Sequence, residues 1–135
     1  MNNNIKINYD IKSLAPSFSE EDSLVVIFGC GLEGKLVLYS MLSVGIKPKY
    51  FVDSNKKLHN KNFFDIPTIS VEELAKISLN AHIFIAHQWI TLAYKNLNDL
   101  NFKNIYTSKN ILKNIDLSKE IKSKIVDMSS LLLER

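Results

Sequence analysis

The stretch from Leu24 to Leu42 reads LVVIFGCGLEGKLVLYSML and joins two different apolar patterns. It opens with a continuous apolar run, which is typical of a strand that is covered on both faces. A helix-like apolar periodicity follows and stops before Gly45. We therefore predict a buried strand at Leu24–Phe28, a helix at Leu32–Val44 and a tight turn between them. Three glycines lie in this turn and at the start of the helix, namely Gly29, Gly31 and Gly34.

Short apolar runs continue to alternate with helix-like segments after this stretch. Ser70, with Glu73 three residues later, forms a capping box that starts a helix ending near Ile77. A second helix is predicted at Trp89–Leu100, where apolar residues share one face. The remaining apolar runs predict four more strands, at Lys49–Val52, Ile66–Ser70, Ala81–Ala86 and Asn104–Thr107.

The alternation of strands and helices indicates βαβ units, which build a parallel sheet with right-handed crossovers. We predict an α/β fold with a doubly wound parallel sheet in the order 3-2-1-4-5, counted along the five predicted strands. Pro67 cannot donate to a ladder, so the third strand is expected at a sheet edge, or Pro67 at a strand start. This domain is expected to span residues 23–110.

The segments on either side of the domain have different compositions. Residues 1–22 are polar and predict a loose arm, or a short helix at the SEED sequence of residues 19–22. Residues 111–135 predict a C-terminal helical segment with one apolar stripe, which can pack on the sheet, form a homodimer contact or lead into a further domain. The stripe consists of Leu117, Ile121, Ile125, Met128 and Leu132.

Composition limits the classes of protein that the chain can represent. With 135 residues, 46% of them apolar, it is long enough for one domain with a core. Its apolar runs are far shorter than the roughly 20 residues of a membrane helix. It also lacks the apolar core of a signal peptide, so we expect a cytoplasmic protein. The net charge of +3 comes from scattered lysines, which argues against a nucleic-acid partner. The single cysteine and the spacing of the histidines predict no metal site.

The glycine turn is the first candidate for a binding site. Ligands of doubly wound sheets bind beyond the carboxyl ends of the strands, where the strand order reverses. Gly29 permits a tight turn there, Gly31 lets a phosphate or ribose approach the backbone, and Gly34 lets the helix pack on the strand. The amide groups at Leu32 and Glu33, at the start of the helix, favour an anion.

An acidic residue is the second candidate. Asp53 lies 19 residues after Gly34, at the end of the second strand, where a carboxylate with neighbouring Ser54 can receive two ribose hydroxyls. The alternative is that the glycines serve only the turn and that Asp53 caps the loop. The charge of Glu33 would repel a pyrophosphate unless the side chain points outward. Lys35 can offset part of this charge, but we interpret it as a solvated lysine.

Other polar residues complete the list of candidates. His87 follows the fourth strand and borders the same crevice, where it can contact a ligand, carry a proton or cap the next helix. Cys30 lies near a helix N-terminus that would lower its pKa, but we interpret it as a small residue filling the turn. His59 is interpreted as exposed in a lysine-rich loop, and His82 as lying near a strand start, away from the site. We assign no catalytic residue.

Four blocks resemble, in their order, the Rossmann-like domain of bacterial surface-polysaccharide biosynthesis proteins. They read VVIFGCGLEGKLVLYSML, KYFVDSN, DIPTISVEELAKI and HIFIAHQWITLAYKNLNDLNFKNIYT, and the resemblance covers about residues 23–108. The chain is similar to the N-terminal nucleotide-sugar-binding domain of left-handed β-helix sugar acyltransferases and to domains fused to sugar methyltransferases. The resemblance implies that Gly29, Gly31 and Asp53 hold a nucleotide-sugar. Hexapeptide repeats are absent, and Ser54 and Asn55 stand where the family often has a second acidic residue.

Three functions follow from the sequence and stay open at this stage. The first is a domain that binds a nucleotide or nucleotide-sugar within a larger sugar-modifying protein. The second is a small NAD(P)-dependent oxidoreductase, although the chain has no Tyr-x-x-x-Lys pair, because Lys95 follows Tyr94 directly. The third is a degenerate domain that serves only oligomer assembly. The expected small-molecule ligand is therefore a nucleotide-sugar or NAD(P).

Overall fold

The computed structural model describes residues 5–7, 9–18, 23–86 and 90–107. The predictions for the SEED sequence, His87, Trp89 and residues 111–135 lie outside these residues. The helices are α1 (Ile11–Leu14), α2 (Leu32–Ser43), α3 (Val71–Ile77) and α4 (Ile90–Asp99), with short 3-10 turns at Ala15–Phe18 and Lys56–Leu58. The strands are β1 (Ile5–Ile7), β2 (Val25–Phe28), β3 (Tyr50–Val52), β4 (Asn62–Phe63), β5 (Ile66–Ile69), β6 (His82–Ile85) and β7 (Asn104–Thr107).

The strands form a seven-stranded sheet in the order β1-β7-β6-β2-β3-β5-β4. Among the described strands, six run parallel and β4 runs antiparallel to β5. The complete order differs from the predicted 3-2-1-4-5 because β1 is added beyond β7 and β4 beyond β5. The five predicted strands keep their neighbours within the larger sheet. The fold is thus an α/β, Rossmann-like fold with an extra strand at each edge.

Strand β1 lies in the segment predicted to be a loose arm or to carry a helix at the SEED sequence. It pairs with β7 in parallel, with Ile5 opposite Ile105 and Ile7 opposite Thr107. Polar asparagines and a lysine surround its two isoleucines, so no apolar run marks it in the sequence. The hydrogen bonds to β7, rather than an apolar pattern of its own, therefore stabilise β1 as a strand.

Each strand of the sheet centre is covered on both faces, as its continuous apolar run predicts. One face carries Ile27 and Phe84 and is covered by α2 and by the N-terminal residues, including Phe18. The other face carries Val26 and Ile85 and is covered by α3 and α4. Helices α2 and α4 leave the adjacent strands β2 and β6 toward opposite faces, which opens a crevice between those two strands at their carboxyl ends.

The predicted ends of the central elements are close to the observed ones. Ser70 accepts a hydrogen bond from the backbone N–H of Glu73 at 3.0 Å, which confirms the cap of α3. Gly45 follows α2 with a φ of +86°, as expected for a glycine that ends a helix. No helix within the described ranges is both long and apolar enough to cross a membrane.

Candidate functional site

The glycine turn connects the carboxyl end of β2 to α2. Gly29 has a φ of +120°, which an L-residue rarely adopts, and its N–H donates to the Val52 carbonyl at 2.8 Å. A Cβ on Gly34 would overlap the carbonyl oxygen of Gly29. The predicted roles of these two glycines in the turn and in helix–strand packing are therefore confirmed.

Gly31 has an open environment. A Cβ at this position would meet no heavy atom of the described residues within 4 Å. Gly31 is also the N-cap of α2, and it supplies no side-chain hydrogen bond to the first turn. The first amide groups of a helix have no partner within the helix, and the positive end of the helix dipole lies there. Leu32, 51% exposed, and half-buried Glu33 border this opening.

Asp53 lies directly beside the glycine turn. Its Oδ2 accepts a hydrogen bond from the backbone N–H of Cys30 at 3.0 Å, and its Oδ1 accepts one from Asn55 N–H at 2.9 Å. The second bond matches the alternative in which Asp53 caps the loop. Since a carboxylate offers about four lone-pair sites, both oxygens keep acceptor capacity for a hydroxyl group. The structure thus brings together an open helix N-terminus and a carboxylate, while Ser54 is exposed next to them.

Cys30 is inside the turn and its side chain is buried. The residue is 5% exposed, and its Sγ lies 3.7 Å from the Thr68 hydroxyl. Burial raises the pKa of the Cys30 thiol to about 12, and the bond with Thr68 lowers it only in part. The expected lowering by the helix N-terminus is wrong, because desolvation outweighs it. The interpretation of Cys30 as a residue that fills the turn agrees with this burial.

Lys35 is the main correction on the helix side of the site. It is 7% exposed rather than solvated, and its Nζ lies 5.4 Å from the centre of the Phe63 ring. Burial lowers the pKa of the Lys35 ammonium. Phe63 in turn packs edge-on against Phe51, with 5.9 Å between ring centres. The sequence could not reveal this contact, because Phe63 belongs to the short strand β4, which no apolar run marks.

His59 is a residue of the site that sequence reasoning missed. It is half-buried rather than exposed, and its Nε2 lies 2.6 Å from the backbone carbonyl oxygen of Asp53. The lysines around His59 gave the impression of a solvated loop, whereas the loop folds back on Asp53. No local pattern in the sequence predicts this contact between His59 and Asp53.

Two other features lie away from the turn. His82 begins β6 opposite Val25, and its Nδ1 lies 3.1 Å from the Tyr106 hydroxyl, so it is at the amino ends of the strands as predicted. A groove of about 500 Å³ lies at the same end, with Lys47 and Asp65 in its lining. Within the described residues, no three His, Cys, Asp or Glu side chains are grouped to hold a metal ion.

The chain matches no known family model and no curated protein sequence. Among solved structures, it is similar to the crystal structure of UDP-D-quinovosamine 4-dehydrogenase from Vibrio fischeri. The two share 22% sequence identity with a TM-score of 0.53, over 71% of this chain and 87% of that chain. At this identity the likeness shows the α/β fold, and the chemistry must be argued from the site itself.

Proposed function

We propose that this chain is a nucleotide-binding domain that holds a nucleotide-sugar at the carboxyl ends of β2 and β3. The observation that carries the proposal is the hydrogen bond from Cys30 N–H to Asp53 Oδ2, at 3.0 Å. It joins a carboxylate, which suits ribose hydroxyls, to an open helix N-terminus, which suits a diphosphate. A ligand that carries both groups next to each other fits this arrangement.

In the proposed complex, the diphosphate lies against Gly31 and the first amide groups of α2. The missing Cβ of Gly31 allows close approach, and the helix dipole stabilises the negative charge. The ribose hydroxyls donate to the free acceptor sites of Asp53. Lys35 is covered by the Phe63 ring, so we assign it no direct contact with phosphate.

Two similarities to other proteins favour a nucleotide-sugar as the ligand. Four sequence blocks resemble the domain of surface-polysaccharide biosynthesis proteins, and the similar solved structure is, by its name, an enzyme of a UDP-sugar. We accordingly propose a cytoplasmic role in bacterial surface-glycan biosynthesis, as part of a larger sugar-modifying protein. We assign no catalytic step to the described residues.

Binding of NAD(P) is the second candidate, because the acidic residue after the second strand also suits the ribose of a dinucleotide. Calorimetric titration with UDP-N-acetylglucosamine, NAD and S-adenosylmethionine separates the candidates. We expect heat from the UDP-sugar in the wild type and at least tenfold weaker binding in Asp53→Asn, or about 1.4 kcal/mol. Asp65→Asn, at an exposed position near the other end of the strands, is the control for loss of one negative charge. Binding of NAD alone would favour the oxidoreductase, and no heat from any ligand at millimolar concentration would reject both.

A further inference from the structure

Asp53 is held at four points around its backbone and carboxylate. Its N–H donates to the Ile69 carbonyl at 3.2 Å, and its carboxylate accepts from the N–H groups of Cys30 and Asn55. The fourth point is its own carbonyl oxygen, 2.6 Å from His59 Nε2. Three of these partners are main-chain groups. His59 is thus, among the described residues, the side chain through which a substitution can change how Asp53 is held.

The loop from Asp53 to Lys61 is built to return the imidazole to Asp53. Asn55 accepts from Lys57 N–H at 3.0 Å through its side chain, which starts the 3-10 turn. After His59, Asn60 N–H donates to the Thr68 carbonyl at 2.9 Å, and Thr68 N–H donates to the Lys61 carbonyl at 2.9 Å. These bonds tie the end of the loop to β5. Hydrogen bonds before and after His59 in the sequence therefore fix the position of its imidazole.

The direction of the hydrogen bond follows from chemistry. A carbonyl oxygen can only accept, so His59 Nε2 must carry a proton. Both the neutral tautomer with hydrogen on Nε2 and the imidazolium meet this condition. A glutamine places an amide N–H donor at a similar reach, whereas leucine fills similar space without a donor.

We propose that His59 is a positioning residue that fixes the Asp53 carboxylate for recognition of ribose hydroxyls. The inference rests on the proposed nucleotide binding. Without the His59 bond, the Asp53 carbonyl loses the partner that the loop supplies. The carboxylate then no longer keeps the orientation that the Cys30 N–H and a ribose would share. A hydrogen bond to a hydroxyl group depends steeply on such an orientation.

The test compares uridine diphosphate with 2′-deoxyuridine diphosphate by calorimetry, in the wild type, His59→Gln and His59→Leu. We expect the wild type and His59→Gln to prefer the ribose form by about tenfold, the effect of one lost hydrogen bond to a charged group. We expect His59→Leu to lose the preference to within about twofold, as Asp53→Asn should. A general loss of stability would weaken both ligands alike and keep their ratio. A preserved ratio in His59→Leu, or its loss in His59→Gln, would overturn the assignment.

A second readout needs no ligand. The ¹⁵N–¹H resonance of Cys30 reports its bond to Asp53, and we expect it to shift in His59→Leu but not in His59→Gln or Asp65→Asn. If His59→Leu does not fold, His59→Asn removes the reach of the donor and takes its place. An unchanged Cys30 resonance would refute the positioning role whatever the ligands do. If the resonance shifts but the wild type binds no nucleotide, the proposed function fails while the hold on Asp53 stands.

Discussion

Gly31 is the N-cap of α2 and Gly34 lies in its first turn, but the two glycines have opposite surroundings. A Cβ at Gly34 would overlap the Gly29 carbonyl oxygen, while a Cβ at Gly31 has free space. We expect Gly34→Ala to lower the free energy of unfolding by about 1–3 kcal/mol or more, as overpacking against backbone does. Gly31→Ala should change it by less than about 1 kcal/mol. Urea unfolding of both variants measures this difference, and equal losses would contradict the packing described for α2.

The burial of Cys30 predicts an alkaline loss of stability. In the folded protein the pKa of the thiol is raised to about 12 from an ordinary 9.0. The buried neutral thiol therefore contributes fully to the free energy of unfolding below about pH 9. As pH rises from about 9 toward 12, the unfolded chain ionises first, and up to about 1.4 kcal/mol per pH unit is lost. Urea unfolding at about pH 8 and 10.5 should show a smaller loss for Cys30→Ala than for the wild type. Burial also raises the pKa of Tyr9 to about 12, but Tyr9 is present in both proteins. Equal losses would show that the thiol is hydrated.

Residue roles were predictable from the sequence where the constraint is local. The turn and packing roles of Gly29 and Gly34 follow from the strand–turn–helix context alone. His59 and Lys35 were misread because their partners come from elsewhere in the chain, namely the Asp53 carbonyl and the Phe63 ring. The apolar pattern and the charges of a sequence do not reveal contacts between residues that lie far apart in the chain. The binding role of Asp53 stays a prediction, because it depends on a ligand that is not part of the chain.

At the scale of elements, the β4–β5 hairpin has an unusual turn. Phe64 and Asp65 have φ values of +54° and +62°, a conformation that two-residue hairpins usually assign to Asn or Gly. Phe64 is half-buried against the core, whereas Asp65 is exposed. We expect Asp65→Gly to raise the free energy of unfolding by about 0.5–1 kcal/mol, because it relieves the backbone without removing packing.

The matched control for the hairpin is Lys103→Gly, at an exposed position with ordinary φ. It should lower the free energy of unfolding by about 0.5–1 kcal/mol through chain entropy. Thermal and urea unfolding of the two variants should therefore shift in opposite directions. A loss of stability in Asp65→Gly would mean that the hairpin turn is not strained.

Elements were predictable where an apolar run or a cap marks them. The strands β2, β3, β5, β6 and β7 each have such a run, and α3 has its Ser70 cap. The edge strands β1 and β4 have three and two residues, and they rely on a neighbouring strand for their hydrogen bonds. Edge strands of this kind need no apolar alternation of their own. The sequence therefore did not predict β1 and β4, and the predicted strand order was incomplete.

In the whole molecule, the two ends of the sheet have different tasks. The carboxyl ends of β2 and β3 carry the glycine turn and Asp53, while a groove lies at the amino ends and a cluster of aromatic rings covers one face of β6 and β7. In this cluster, Phe18 lies 5.9 Å from Phe84 and 4.8 Å from His82, measured between ring centres. Phe84 stacks on Tyr106 at 4.3 Å. The described residues 9–18 thus contribute to the core.

This view of the N-terminal residues predicts that Phe18→Ala destabilises the whole domain. Phe18 is 7% exposed and contacts three rings, so its removal should lower the free energy of unfolding by about 3–5 kcal/mol. Ser17→Ala, at the exposed neighbouring position, should leave it within about 0.5 kcal/mol of the wild type. Both are measured by urea unfolding with far-UV circular dichroism as the signal. If Phe18→Ala unfolds at the same urea concentration as Ser17→Ala, the Phe18 ring does not contribute to the stability of this face of the sheet.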